Sequence, residues 1–385
     1  MLDFFVYLLY TIFMDKNERA LINLIKNSLN GKKVDGFDFD FEKVVSLSDK
    51  HGVFSIVYKN LSDLTDNDDA REKLKQKYGA LVSQAINQEY YSDLIFNALD
   101  KNEICYLPLK GARIKNLYPA KIIRFSSDID IFVKDNDKEK LDKVIKELGF
   151  KFDHVYDDEI SYVYPPYINV EFHTKLDYNT DENYYKNVWE TLEKTSEFGY
   201  KFSDDDFYIN FILHLYKHFS VSGTGVRSAV DVFILNRELG LDREYINAEL
   251  EKFNLVEFEK QFVNLAKVWF DDEPSTPLLE DLGDYVLNSG IYGNIENRTS
   301  SDMSEKHSKL GYFFLRVFPP YKDMIKSYPS LKKCPILLPF YWIARIFRSI
   351  FFRRDKIKSS VKAIKNSNDE KISKQQQLFK QLKIK

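Results

Sequence analysis

The sequence predicts an α+β fold, a small mixed β-sheet flanked by N- and C-terminal α-helical regions. Three observations predict it. Apolar residues return at threes and fours before about residue 100 and again over 207–270, as helices require. Between those stretches, the apolar run 104–109 ends in Lys110-Gly111, as a buried strand entering a turn does. The segments 129–133, 161–164 and 168–173 then carry the alternation and β-branched or aromatic content of strands.

With 385 residues, 44% of them hydrophobic and 30% charged, the chain has material for two or three folding units. Four regions are expected: 1–100 helical, 101–200 containing the sheet, 201–333 helical, and 334–385 an amphipathic, basic tail. Residues 340–385 hold thirteen Lys/Arg against three Asp/Glu, so the overall charge of −3 leaves −13 for the rest of the chain. Cys105 and Cys334 stand alone, which excludes a disulfide framework and a zinc knuckle and fits a cytoplasmic setting. The apolar start, residues 1–13, is too short to span a membrane and lacks a basic leader. Asp15 and Glu18 form a capping box just beyond it, so residues 1–13 read as an upstream extension of the true start.

In order along the chain, helices are expected from Asp15 to about Asp100 and a strand over 104–109. A short helix over 112–118 follows, then a strand over 129–133 and a helix from Lys138 to Leu148 stopped by Gly149. Two more strands flank a turn at Pro165-Pro166. Long helices fill 207–270, 274–298 reads as a glycine-containing linker, and the last 20 or so residues read as frayed helix.

Asp128 and Asp130 lie two apart at the start of a strand, so their side chains leave one face and can converge on one cation. Glu171, sharing a strand face with Asn169 and His173, can supply a third carboxylate. Such a hard, oxygen-rich set suits Mg²⁺ or Mn²⁺ working with substrate phosphates. The Lys110-Gly111 turn can present backbone N–H groups and an ammonium to a triphosphate, or Gly111 can simply supply a positive φ.

These residues resemble a known family. Leu109-Lys110-Gly111-Ala112, Tyr118-Pro119, Arg124 and Ser127-Asp128-Ile129-Asp130-Ile131-Phe132-Val133 resemble the uncharacterised nucleotidyltransferase family of the DNA polymerase β-like superfamily. His51-Gly52-Val53, Gly149-Phe150, Val170-Glu171-Phe172-His173, Arg227 and Asp231 extend the similarity over about residues 14–354. The resemblance implies a nucleotidyltransferase core in which Asp128, Asp130 and Glu171 hold metal and carry catalysis. It implies that Lys110, Gly111, Arg124 and Ser127 bind the nucleotide, and that a nucleoside monophosphate passes from a triphosphate such as ATP to an acceptor. Members are associated with polysaccharide assembly, which points to a sugar- or lipid-linked acceptor. Ala112 departs from the Ser or Gly that the wider superfamily often places there, removing a hydroxyl contact to phosphate.

Secondary candidates are His173 beside Glu171, His218 one helical turn from His214, and the i, i+4 pair Arg227 and Asp231. Residues 336–354, aromatic and arginine-rich, suit either peripheral contact with the inner face of an anionic membrane or a helix packed on the body with a solvated arginine stripe. Rival functions are toxin-like transfer to protein or RNA, which the basic tail favours and the acidic body disfavours, and a nucleotide-sensing scaffold without turnover.

Overall fold

The computed structural model describes residues 14–34, 38–134, 137–156, 159–166, 168–176, 184–299, 311, 314–315, 317–352 and 369–384. The expectation for residues 1–13 lies outside them, as do Arg353 and Arg354. Helix α1 (Lys16–Leu29) opens with the expected capping box, Asp15 accepting from the Asn17 amide and Glu18 from the Asp15 amide. Helices α2 (Phe41–Lys50) and α3 (Phe54–Leu64) follow, then the 34-residue α4 (Asp68–Lys101). Helix α4 joins two cores. Its Leu74 packs among the helices, while Ile95 and Leu99 pack under the sheet.

The sheet runs β1 (Tyr106–Pro108), β2 (Asp128–Val133), β5 (Ile168–His173), β4 (Glu159–Tyr164), β3 (Lys151–Tyr156). The β2–β5 pair is parallel and the other three pairs are antiparallel, which makes the sheet mixed. Alternation along β2 and β5 divides its faces. Ile129, Ile131, Val133, Val170 and Phe172 enter the core with Leu141, Val144 and Ile145 of α6 (Lys138–Glu147). Asp128, Asp130, Asn169, Glu171 and His173 take the other face.

Four departures from the sequence reading have physical reasons. The predicted helix over 112–118 shortens to α5 (Gly111–Ile114) plus a 3₁₀ turn, Lys115–Leu117. Strand β3 was not anticipated because it is exposed throughout and shows no buried alternation. The supposed linker holds a helix, α12 (Pro277–Ser289), with Thr276 as N-cap, Pro277 in its first turn and Gly283 buried within it. The frayed tail is instead the docked helix α15 (Asp369–Gln381), from which Phe379 packs on Phe219 and Tyr285 while Leu378 and Leu382 bury. Those apolar residues sit at helical spacing, a signal diluted by the Lys and Gln around them.

Beyond the short α7 (Val188–Thr191) and the hairpin β6 (Glu193–Lys194) and β7 (Tyr200–Lys201), four helices follow. These are α8 (Asp204–Ser222), α9 (Val226–Glu238), α10 (Arg243–Glu251) and α11 (Val256–Phe270). Two arginines fasten them to the sheet region. Arg124 gives Asp231 of α9 a bidentate pair, both bonds 2.9 Å, and the Tyr118 hydroxyl adds a third at 2.7 Å. Arg113 of α5 donates to the Phe202 carbonyl at 2.7 Å, pairs with Asp204 and lies 4.4 Å over the Phe207 ring.

The buried Arg124–Asp231 pair carries a prediction. Asp231→Ala leaves a guanidinium without its counter-charge and is expected to cost about 3–5 kcal/mol in urea unfolding, while Arg124→Met/Asp231→Leu recovers most of the loss.

Candidate active site

Strand pairing sets the geometry. In the β2–β5 register Asp128 faces Asn169, Asp130 faces Glu171 and Phe132 faces His173, so acids from two strands meet on one face. Among the described residues, Asp130, Glu171 and His173 offer ligating atoms that all lie within 4.8 Å of one another. Asp128 adjoins them from the start of β2 and lines the same cleft.

The Leu109 amide donates to the Asp130 carbonyl at 3.0 Å, pinning the end of β1 beside the acids. The sharp turn that follows is made by Lys110, whose φ of +40° is strained for a non-glycine residue. Gly111 therefore does not supply the positive φ. It is needed for closeness, because a Cβ there would lie 3.0 Å from both Arg124 Nη1 and Ser126 Oγ. The amides of Ala112, Arg113 and Ile114 already bond to the Leu109 and Lys110 carbonyls, which narrows the backbone donors expected of this turn to Gly111.

Charge is unevenly compensated. Lys110 Nζ lies 3.0 Å and His173 Nε2 2.9 Å from the same oxygen of Asp130. Although burial pushes the Asp130 carboxyl up, Lys110 and His173 hold it well below the usual range. Asp128 is raised, by burial first and Asp130 second. Glu171 is pushed up to about 8 by burial, then by Asp130 and Asp128. The Asn169 side-chain amide donates to it at 3.1 Å.

The acids line a cleft of about 610 Å³. Opposite the sheet stand Phe211, Lys217 and His218 of α8 and Arg227 of α9, with Ile291 and Tyr292 at one end. His218 and His214 bond to each other through their Nε2 atoms at 2.9 Å, so the turn-spaced pair is engaged with itself. Burial, then Lys110, lowers His218 to about 4 and holds His214 well below the ordinary imidazole value. Arg227 does not take Asp231 as its partner. It donates to the Phe125 carbonyl at 3.0 Å, and Asp231 goes to Arg124. Arg124, expected at phosphate, thus spends two donors on Asp231 and turns only Nη1 toward Gly111.

Ser127, beside Asp128, lines the cleft as expected, but Ser126 was missed. The Ser126 hydroxyl donates to the Asp128 carbonyl at 3.1 Å and lies under the Gly111 turn. Tyr156, Lys175 and Lys217 also line the cleft. Lys175 follows His173 at the end of β5, whereas Tyr156 and Lys217 come in from a distance on β3 and α8, so no sequence spacing links those two to the acids.

An α+β core with a mixed sheet, an acid pair on one strand and a third acid in register on the next defines a nucleotidyltransferase. Residues 38–271 match the family model described as uncharacterised nucleotidyltransferase, and the chain belongs to that family. Neither the curated proteins nor the solved structures yield a match. Membership implies a nucleotide substrate.

The raised Glu171 carboxyl predicts how metal-free stability depends on pH. Its folded pKa of about 8 lies above the ordinary 4.5, so its contribution is full below about pH 4.5 and is lost as pH rises through 8. Glu171→Gln removes that loss. Its melting temperature should exceed that of the wild type at pH 9 by more than at pH 5, and Mg²⁺ or Mn²⁺ should stabilise the wild type far more than the variant.

Proposed function

We propose that the chain transfers a nucleoside monophosphate from a triphosphate to an acceptor oxygen, using a divalent cation held by Asp128, Asp130 and Glu171, with His173 beside them. The observation that carries this reading is the cross-strand meeting of Asp130 and Glu171. The donor set fits a hard cation. It is oxygen-rich, and two of its three carboxyls are raised by burial and mutual repulsion that a cation would relieve. Bound there, Mg²⁺ or Mn²⁺ supplies Lewis-acid stabilisation of phosphate charge.

The protein's own groups do the rest. Lys110 neutralises phosphate from the β1 turn, helped by the Gly111 amide, Arg124 Nη1 and the Ser127 hydroxyl. Arg227 and Lys217 add positive charge on the facing wall. Ionised Glu171 takes the proton of the acceptor hydroxyl as its oxygen bonds to the α-phosphorus. The bond from the α-phosphorus to the bridging oxygen breaks, and pyrophosphate leaves with that electron pair. A sugar- or lipid-linked acceptor in glycan assembly is the reading that the family resemblance favours over protein or RNA.

Pyrophosphate release from each nucleoside triphosphate, measured with Mg²⁺ or Mn²⁺ and cell extract as the acceptor source, tests the reading. Asp128→Ala/Asp130→Ala should lower it by about 10³-fold or more. Nucleotide binding with no metal-dependent release in the wild type would instead favour a sensing role. Gly111→Ala, by pressing a methyl against Arg124 and Ser126, is expected to weaken nucleotide affinity about tenfold while leaving the melting temperature near that of the wild type.

A further inference from the structure

The C-terminal helix α14 (Leu338–Phe352) turns apolar side chains outward. Phe340, Ile343 and Phe347 recur at spacings of three and four, so they share one face, and they are 68%, 52% and 57% exposed. Ile336, just before the helix, is 81% exposed. The opposite face is where the helix is held. Trp342 donates its indole N–H to the Pro319 carbonyl at 2.9 Å and packs edge-on against Phe318, while the Tyr341 ring packs against Tyr328. A helix lying apolar side down on the body would show the reverse arrangement. With 15 residues, α14 is too short to cross a bilayer, and no described helix is long and apolar enough to do so.

Charge says what covers the row. Between Asp323 and Asp355 the sequence has seven Lys/Arg (Lys326, Lys332, Lys333, Arg345, Arg348, Arg353, Arg354) and no acid. Lys332, Lys333 and Arg348 are exposed on the described part of this stretch. A second copy docking through the same face would bring cations onto cations. An anionic lipid surface accepts both features at once, since aromatic and aliphatic side chains enter the acyl boundary while Lys and Arg reach to the headgroups. The rest of the chain carries the excess negative charge and is repelled by the same surface, which sets the orientation.

We propose that the outward row Ile336, Phe340, Ile343 and Phe347, with Lys332, Lys333 and Arg348 at its border, docks the protein on an anionic membrane surface. The short helix α13 (Tyr321–Ser327), which precedes α14, lies against β3, so the row is fastened to the sheet edge whose Tyr156 lines the cleft. The proposal stands independently of the catalytic reading.

Co-sedimentation of the full chain with phosphatidylcholine vesicles, with and without phosphatidylglycerol, tests it. The wild type should pellet with the anionic vesicles and less so as salt rises. Phe340→Asp/Ile343→Asp/Phe347→Asp should weaken this by about a hundredfold or more. Single Ile343→Asp, at an exposed position, should weaken it about tenfold with an unchanged melting temperature. Lys332→Glu/Lys333→Glu/Arg348→Glu should erase the preference for phosphatidylglycerol. A wild type that stays in the supernatant with both vesicles overturns the proposal, as does a triple apolar variant that still pellets. Light scattering that shows a dimer abolished by Ile343→Asp would assign the face to a second copy and overturn it equally.

Discussion

Strands β2 and β5 run parallel with Asp130 opposite Glu171, and the positions of Asp128, Asp130 and Glu171 follow from that pairing. A slip of one residue in either strand would turn its Ile131 or Phe172 toward the cleft and carry its own carboxylates into the apolar layer under the sheet. Core packing therefore enforces the register that the site needs. Val170 and Phe172 are fully buried, and Ile129 and Ile131 are buried beside them, so the same alternation that builds the core delivers three acids to one face. Structure and chemistry use alternate residues of the same two strands.

Crowding acids in this way opposes folding, and the surroundings show how the opposition is contained. Among the described residues, Asp130 is the one of the three acids that is ion-paired, with Lys110 and His173 on one oxygen. Asp128 and Glu171 are left with raised carboxyls. Two nearby arginines spend their charge mainly on other acids. Arg124 is committed to Asp231, which also accepts from Tyr118, and Arg113 to Asp204 and Phe202, so both hold helices to the sheet region. A buried pair of this kind is a weak source of net stability but a strict one in geometry, since neither charge tolerates losing its partner. The cleft keeps its width because its walls are joined by groups that cannot let go cheaply.

Much of this was legible in the sequence because the relevant signals are local. Two acids at i and i+2 in a strand, a Lys-Gly step after an apolar run and a capping box each need only a few neighbouring residues to be read. What could not be read depends on contacts between distant segments. The commitment of Arg124 to Asp231 joins positions 107 apart, and it changes Arg124 from a free phosphate ligand to a brace with one nitrogen turned to the cleft. The role of Ser126 depends on the turn at Gly111 folding over it. Strand β3 and helix α15 escaped for opposite reasons, the first having no buried face to produce alternation and the second hiding Leu378, Phe379 and Leu382 among polar neighbours. His173 was legible as a neighbour of Glu171, but its bond to Asp130 required knowing that β2 lies alongside β5.

Lys110 shows how these constraints meet in one residue. Its backbone is strained to make the turn, its carbonyl caps two amides of α5, and its ammonium rests on Asp130. Were a divalent cation held at Asp130, Lys110 would have to give up that oxygen to it, because like charges repel. In the reading proposed above, cation and nucleotide arrive together, and the displaced ammonium finds phosphate oxygen within reach of the same turn. In that reading the strained turn holds the ammonium beside the acids, and a change of partner for this one flexible side chain would admit phosphate.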